Sequence, residues 1–278
     1  MRKHIQGIDH VVIATRDLDA ARDSFARMGF TVTPRGYHTL GSENHCVMLG
    51  DDYFELLAVP KIHPATQFYA DFLSAGDGLA AIALKTDSAR GAYTEWLWSG
   101  LAPSDVVDFS RPVELPGGAR DASFRITQLP NDKSPGGRVF CCEHLTRDVV
   151  WRPEWQSHAN GATALAAVAI VAEDVEEVTR QYEKVFDARA ERIAEGLLVQ
   201  TGNTPIAVAT ERALAKRFPG LWITGRPYPA YAALFFRVPD RDRAEAALRK
   251  GGFDPHRMPD GSVALGADQA HGVAVLFG

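Results

Sequence analysis

The residues most able to do chemistry lie in short apolar segments. His10 sits in Ile8-Asp9-His10-Val11-Val12-Ile13-Ala14, an alternating stretch that reads as a strand. Alternation puts Ile8, His10, Val12 and Ala14 on one face, and Asp9, Val11 and Ile13 on the other. Glu55 lies in a second apolar strand, Tyr53 to Val59. A neutral imidazole nitrogen beside a carboxylate oxygen suits Zn, Fe, Ni or Mn. A metal with open positions can polarise a carbonyl or hold two vicinal oxygens. Periodicity alone favours the plainer assignment, a core histidine with a satisfied ring and a glutamate on a solvated face. Glu143 and His144 are adjacent on a late strand, so only one can face a given side. His144 could act as a general acid or base within hydrogen-bond reach of a substrate. His45 is a further candidate whose face depends on a turn, where one residue of slip reverses it. Arg125, between Phe124 and Ile126, could bind a substrate anion through its planar fork, or be exposed. Cys46 and Cys142 lack an assignable base and read as small core fillers.

Four rounds of strand and helix must position these groups. Asp17 is a plausible N-cap to a helix whose stripe is Leu18, Ala21, Phe25 and Met28, ended by Gly29. Strands are expected over Phe30 to Thr33, His45 to Leu49 and Tyr53 to Val59. The second round starts with a strand over Leu79 to Lys85 and a helix over Ser88 to Ser99. Strands over Val106 to Phe109, Ala122 to Thr127 and Arg138 to Leu145 follow, with long loops at Pro112 to Gly118 and Pro130 to Gly137. Trp151-Arg152-Pro153-Glu154-Trp155 breaks the pattern and reads as a connection folded back onto a domain surface. The theme then returns 157 residues on: Asp174 matches Asp17, Val175 matches Leu18, Val178 matches Ala21 and Tyr182 matches Phe25. On the same offset Ala167 matches His10. A last round starts at Tyr231, with a helix from Arg241 to Lys250.

Composition bounds what these elements can serve. The chain has 278 residues, a size for two domains, and its net charge of −5 carries no basic block. That argues against nucleic acid as a partner. Apolar runs are short, so no membrane span is expected, and the N-terminus lacks a signal-peptide core. The three cysteines form no disulfide framework, which fits a cytoplasmic protein. A small-molecule substrate is the expected partner, and a homodimer is compatible with the sequence.

Two stretches, Ile8 to Asp19 and Glu143 to Trp155, together with the fourfold pattern, carry a resemblance. The chain resembles the vicinal-oxygen-chelate superfamily (glyoxalase, bleomycin resistance and extradiol dioxygenase), and most of all bacterial glyoxalase-like proteins. The resemblance implies an α+β fold of four βαβββ units paired into two glyoxalase-like domains with curved mixed sheets. Residues 5–147 would form the domain with the metal site, 148–161 a Trp-containing linker, and 162–278 a second domain without ligands. It further implies His10 and Glu55 as ligands of a divalent metal, with Glu143 as the third. His144 then takes a catalytic or supporting role, and His45 and Arg125 are substrate-binding candidates. Leu79 to Ala83, the first strand of the second unit, offers no ligand. The implied activity is a metal-dependent lyase, isomerase or dioxygenase acting on a small oxygenated molecule. The alternative is a metal-free cavity that sequesters a small compound.

Overall fold

A computed structural model describes residues 1–115 and 117–278. Pro116, inside the loop expected over Pro112 to Gly118, lies outside the described residues. The first half runs β1 (Ile5–Ala14), α1 (Leu18–Arg27), β2 (Gly36–Tyr37), β3 (Glu43–Met48), β4 (Tyr53–Ala58), α2 (Gln67–Ser74), β5 (Gly78–Thr86), α3 (Ala89–Trp98), β6 (Val107–Val113), β7 (Arg120–Gln128) and β8 (Arg138–His144). Its strands form one mixed sheet in the order β2-β3-β4-β1-β5-β8-β7-β6. After α4 (Arg147–Val150) the second half runs β9 (Ala164–Val171), α5 (Val175–Phe186), β10 (Ala190–Arg192), β11 (Gly196–Val199), β12 (Ile206–Ala209), α6 (Glu211–Arg217), β13 (Ala230–Arg237), α7 (Arg241–Lys250), β14 (His256–Arg257), β15 (Val263–Leu265) and β16 (Ala274–Phe277). They make a second eight-stranded sheet, β10-β11-β12-β9-β13-β16-β15-β14, with the same order of pairing. The fold is α+β, two curved mixed sheets with the same strand order, as expected from the fourfold pattern.

Each unit starts its helix the same way. Asp17 accepts from the Ala20 amide, Ser88 from Gly91, Asp174 from Glu177 and Asp240 from Asp242 and Arg243. An N-cap of this kind satisfies amides that have no partner inside the helix. The apolar stripes then face inward: Phe25 and Tyr182, a pair on the 157-residue offset, are both fully buried. Among the described residues no helix is long and apolar enough to cross a membrane.

The helix-bearing faces of the two sheets share one core. Phe30 and Phe54 of the first half pack on Phe236 of the second, with ring centroids 5.2 and 5.6 Å apart. The opposite face of each sheet curves around its own smaller core. In the second half that face is filled by Leu214, Phe218, Leu221 and Ile223. In the first half it is left with a cavity.

Two local expectations change. Phe30 to Thr33 is not a strand, and β2 is only Gly36–Tyr37; Pro34 lies between and cannot donate to a ladder. Conversely β6 runs through Pro112, read from sequence as loop. It is the edge strand of the sheet, where a missing N–H does no harm. The connection over 148–161 holds α4's end and a 3-10 turn, Pro153–Trp155. Trp151 stands edge-on to Tyr53 and His144, and its Nε1 donates to the Gly50 carbonyl at 3.0 Å.

Candidate functional site

The site is organised by a β-bulge. In the pairing of β1 with β5, Ile8 lies opposite Leu84 and His10 opposite Ala83, so Asp9 is an extra residue with no partner. The extra residue breaks the alternation and brings Asp9 and His10 to one side. Asp9 is fully buried, and its Oδ2 lies 2.7 Å from His10 Nδ1 and 2.9 Å from His144 Nε2. Burial alone would raise this carboxyl's pKa. Electrostatic and hydrogen-bonding contacts with His144 and His10 outweigh burial and hold it well below the usual range.

The same bulge recurs in the second half. Leu165 lies opposite Phe236 and Ala167 opposite Phe235, leaving Ala166 as the extra residue. Asp9 and His10 are therefore matched, on the 157-residue offset, by Ala166 and Ala167. The second half keeps the backbone device and lacks its chemistry.

The second half also braces the first bulge. Asn203 Oδ1 accepts from the Ile8 amide and its Nδ2 donates to the Ile8 carbonyl, both at 2.7 Å. One side-chain amide thus imitates a neighbouring strand. Gly7, at φ +134°, allows the approach, because a Cβ there would lie 2.2 Å from Asn203 Oδ1. Asn203→Ala is expected to destabilise the protein by about 1–3 kcal/mol, the cost of leaving backbone groups unpaired. Urea denaturation checks this. An unchanged midpoint would show that water replaces the amide at no cost.

His10 points its Nε2 into the cavity. When the neutral ring donates from Nδ1 to Asp9, its lone pair is on Nε2. It lies 3.8 Å from Glu55 Oε2 and has no hydrogen bond among the described residues. Glu55 is reached from two further sides. Asn44 Nδ2 donates to Oε1, and His38 Nε2 lies 3.8 Å from the same oxygen. Ser42 Oγ sits 2.8 Å from His38 Nδ1 and fixes that ring. Burial pulls the His38 pKa down to about 4 although Glu55 pulls it up, so His38 is neutral at pH 7. Tyr53 stacks on His10, with centroids 4.4 Å apart.

Around these groups lies a cavity of about 90 Å³, walled by Leu57, Tyr69, Phe109, Phe124, Ile126 and Phe140. Arg111 and Arg138 also line it. Cys46, beside it, has its pKa pushed up to about 12 by burial, and burial raises Cys142 well above the ordinary thiol range. Neither thiol is ionised at neutral pH, as expected of core fillers.

Other candidates fall elsewhere. Glu143 faces away from the cavity, and its Oε2 accepts from the Ala89 amide at 2.9 Å, at the start of α3. There it caps a helix N-terminus, where a carboxylate is favourable, and it cannot join His10 and Glu55. The alternation on β8 sends Phe140 and Cys142 inward and Glu143 outward. Arg125 shares Glu143's face of the sheet, opposite it in register, and forks onto Asp108 at 2.7 and 2.9 Å. It is an outward ion pair, not a cavity group. His45 is one residue out of phase: Asn44 and Cys46 face Glu55's side, while His45 Nδ1 bonds the Thr33 carbonyl at 2.7 Å. His144 is not among the residues lining the cavity; it hydrogen-bonds Asp9 and packs edge-on against Phe124 and Tyr53, which do line it.

Pairing register shows what the second unit would contribute. The bulge at Asp9 has a counterpart at Ala80 in β5, between Ala81 and Leu79. His10 pairs with Tyr53 on β4, and Ala81 pairs with Arg138 on β8. The counterparts of His10 and Glu55 are therefore Ala81 and Phe140, which hold no metal. Asp9, His38, Asn44, Tyr53, Arg111 and Arg138 were not singled out from sequence. Asp9 was hidden by the bulge. The alternation of Phe109, Arg111 and Val113 could have revealed Arg111, had Pro112 not suggested a loop.

Does the donor set fit a divalent metal? Among the described residues, the one tight group of potential ligand atoms is Asp9, Cys142 and His144. Asp9 Oδ1 and His144 Nδ1 are buried there without hydrogen-bond partners. That group, however, already spends Asp9 Oδ2 and His144 Nε2 on each other. His10 Nε2 and Glu55 have an imidazole lone pair and a carboxylate facing one gap, with the other imidazole nitrogen held by a carboxylate, the usual support of a metal-bound histidine. These residues fit.

Comparison with known proteins agrees with this architecture. A family model described as a glyoxalase-like domain matches residues 8–186. No curated protein matches the sequence. A hypothetical protein from Staphylococcus aureus superposes with TM-score 0.68 at 12% identity, covering 98% of both chains. A mutant of 4-hydroxymandelate synthase from Streptomyces coelicolor gives TM-score 0.60 at 15% identity, over 92% of this chain and 78% of that one. The Mn(II)-bound glyoxalase from Novosphingobium aromaticivorans gives 0.57 at 11% identity, over 99% and 82%. The family model spans more than half of the sequence, and solved structures of this superfamily share the fold: the chain belongs to the glyoxalase-like domain family of the vicinal-oxygen-chelate superfamily.

Proposed function

We propose that this protein is a metal-dependent enzyme acting on a small oxygenated molecule held in the cavity of its first half. The observation that carries the reading is the His10 ring, clamped by Asp9 with its free Nε2 3.8 Å from Glu55. His10 and Glu55 are the proposed ligands, with His38 as the third in place of Glu143. A bound divalent metal would supply Lewis-acid polarisation of a substrate oxygen, or a seat for two vicinal oxygens. The chain's own residues do the rest. Asp9 fixes the His10 tautomer, Asn44 orients Glu55, and the aromatic walls keep water from the substrate. His144 holds Asp9 in place. The reaction is a lyase, isomerase or dioxygenase step, since the fold hosts several chemistries. The Novosphingobium glyoxalase of this fold binds Mn(II), which makes Mn a first choice beside Fe, Ni and Zn.

A second reading has its own observation: Ala81 and Phe140 occupy the counterpart positions, so half of a symmetric ligand set is missing. On that reading the cavity binds a small compound without metal. Calorimetric titration of chelator-treated protein with Mn(II), Fe(II), Ni(II) and Zn(II) separates the two. One equivalent bound, with a raised melting temperature, is the expected result; at a hundredfold excess over Kd the stabilisation is about 2.7 kcal/mol. No binding of any of the four would leave the second reading.

A further inference from the structure

Arg111 presents an unusual charge. It lies in β6, is 7% exposed, and lines the cavity. Among the described residues no carboxylate oxygen comes within 4.0 Å of its guanidinium, although twelve other arginines and lysines have such a partner within that distance. Its side-chain hydrogen bond goes to Cys46 Sγ, at 3.8 Å, a weak acceptor. Gly36 leaves room for it: a Cβ there would lie 2.9 Å from Arg111 Nη1. A guanidinium taken out of water without a counter-ion is costly, and the cost is recovered when an anion arrives.

The surroundings say what kind of anion. Phe109 and Phe124 lie nearly parallel, with centroids 5.1 Å apart, on the same wall, and Phe140, Leu57 and Tyr69 line the rest. A second cation, Arg138, stacks on Phe68 and Tyr69. We infer that the cavity takes a small acid with a flat apolar body, its carboxylate seated on Arg111. The guanidinium fork matches a carboxylate with two parallel hydrogen bonds, and the aromatic walls take the rest of the molecule. This names the substrate class for the proposed reaction site, and it rests on that cavity being the site but not on a metal being bound.

Benzoate is the probe, titrated calorimetrically into chelator-treated protein, with benzamide and inorganic phosphate as comparators. Benzoate is expected to bind at least about 10-fold more tightly than benzamide, and Arg111→Met to lose about 10- to 100-fold in benzoate affinity. Arg111→Lys keeps the charge without the fork and should fall between. If Arg111→Met does not fold, the Lys variant and the benzoate–benzamide ratio decide. Equal binding of benzoate and benzamide, unchanged benzoate affinity in the Arg111 variants, or binding of phosphate but not benzoate would overturn the inference. Absence of metal binding with benzoate selectivity intact would sink the metal reading alone; metal binding without that selectivity would sink this one alone.

Discussion

Replacing His10 by alanine is expected to lower affinity for a divalent metal by more than about 100-fold, measured by equilibrium dialysis against Mn(II) or Zn(II). Loss of a supporting residue behind a ligand already costs about 10- to 100-fold, and His10 would be a ligand itself. With His10, Glu55 and His38 as the proposed ligands, little redundancy would remain. Glu55→Gln and His38→Gln should each weaken binding in the same assay. Ala167→Ser, at the matching position of the second bulge, should leave metal content unchanged, as should Glu143→Gln. Full metal in His10→Ala, or loss of metal in Glu143→Gln alone, would mean that the site lies elsewhere.

The second large effect belongs to Asp9. This buried carboxylate serves two imidazoles at once, so Asp9→Ala is expected to cost about 3–5 kcal/mol in metal-free protein at pH 7, the usual loss when one member of a buried charged network is removed. The folded-state pKa of Asp9 is depressed. Its contribution is therefore fully present above the unfolded-state pKa of about 3.9 and is lost as pH falls below it. The gap between wild type and Asp9→Ala in urea denaturation should be widest at neutral pH and close as the solution is made strongly acidic. A gap that stays constant from pH 7 to pH 2 would show that packing, not charge, is what Asp9 provides. Asp9→Asn retains shape and should fall between, with metal affinity reduced about 10- to 100-fold through the freed His10 ring.

The architecture was legible because it is repeated. Caps and stripes each occur more than once, and the N-caps at Asp17 and Asp174, 157 residues apart, start matching helices. His10 and Glu55 were paired through the family resemblance, because periodicity alone left Glu55 on a solvated face and the alternation through His10 is broken by the bulge. What failed were positions where alternation is interrupted or its phase is free. Asp9 was assigned to the far face because a bulge leaves no mark in the pattern of apolar residues, and the second copy of that bulge is built from two alanines. His45 was a candidate because the phase of β3 cannot be read across its turn; Asn44 took the inward place. Glu143 and His144 were correctly set on opposite faces, and the choice of face went against Glu143 because α3 starts beside it and its free amide needs an acceptor. His38 comes from the loop after the two-residue β2, where no periodicity exists to interpret.

The most direct measurement is anomalous X-ray diffraction from crystals soaked in Mn(II) or Zn(II), recorded above and below the metal's absorption edge. The account predicts one anomalous peak in the cavity, within bonding distance of His10 Nε2 and a Glu55 oxygen, with Asp9 still hydrogen-bonded to His10 Nδ1. A peak instead among Asp9, Cys142 and His144, or beside Glu143 at the start of α3, would contradict it.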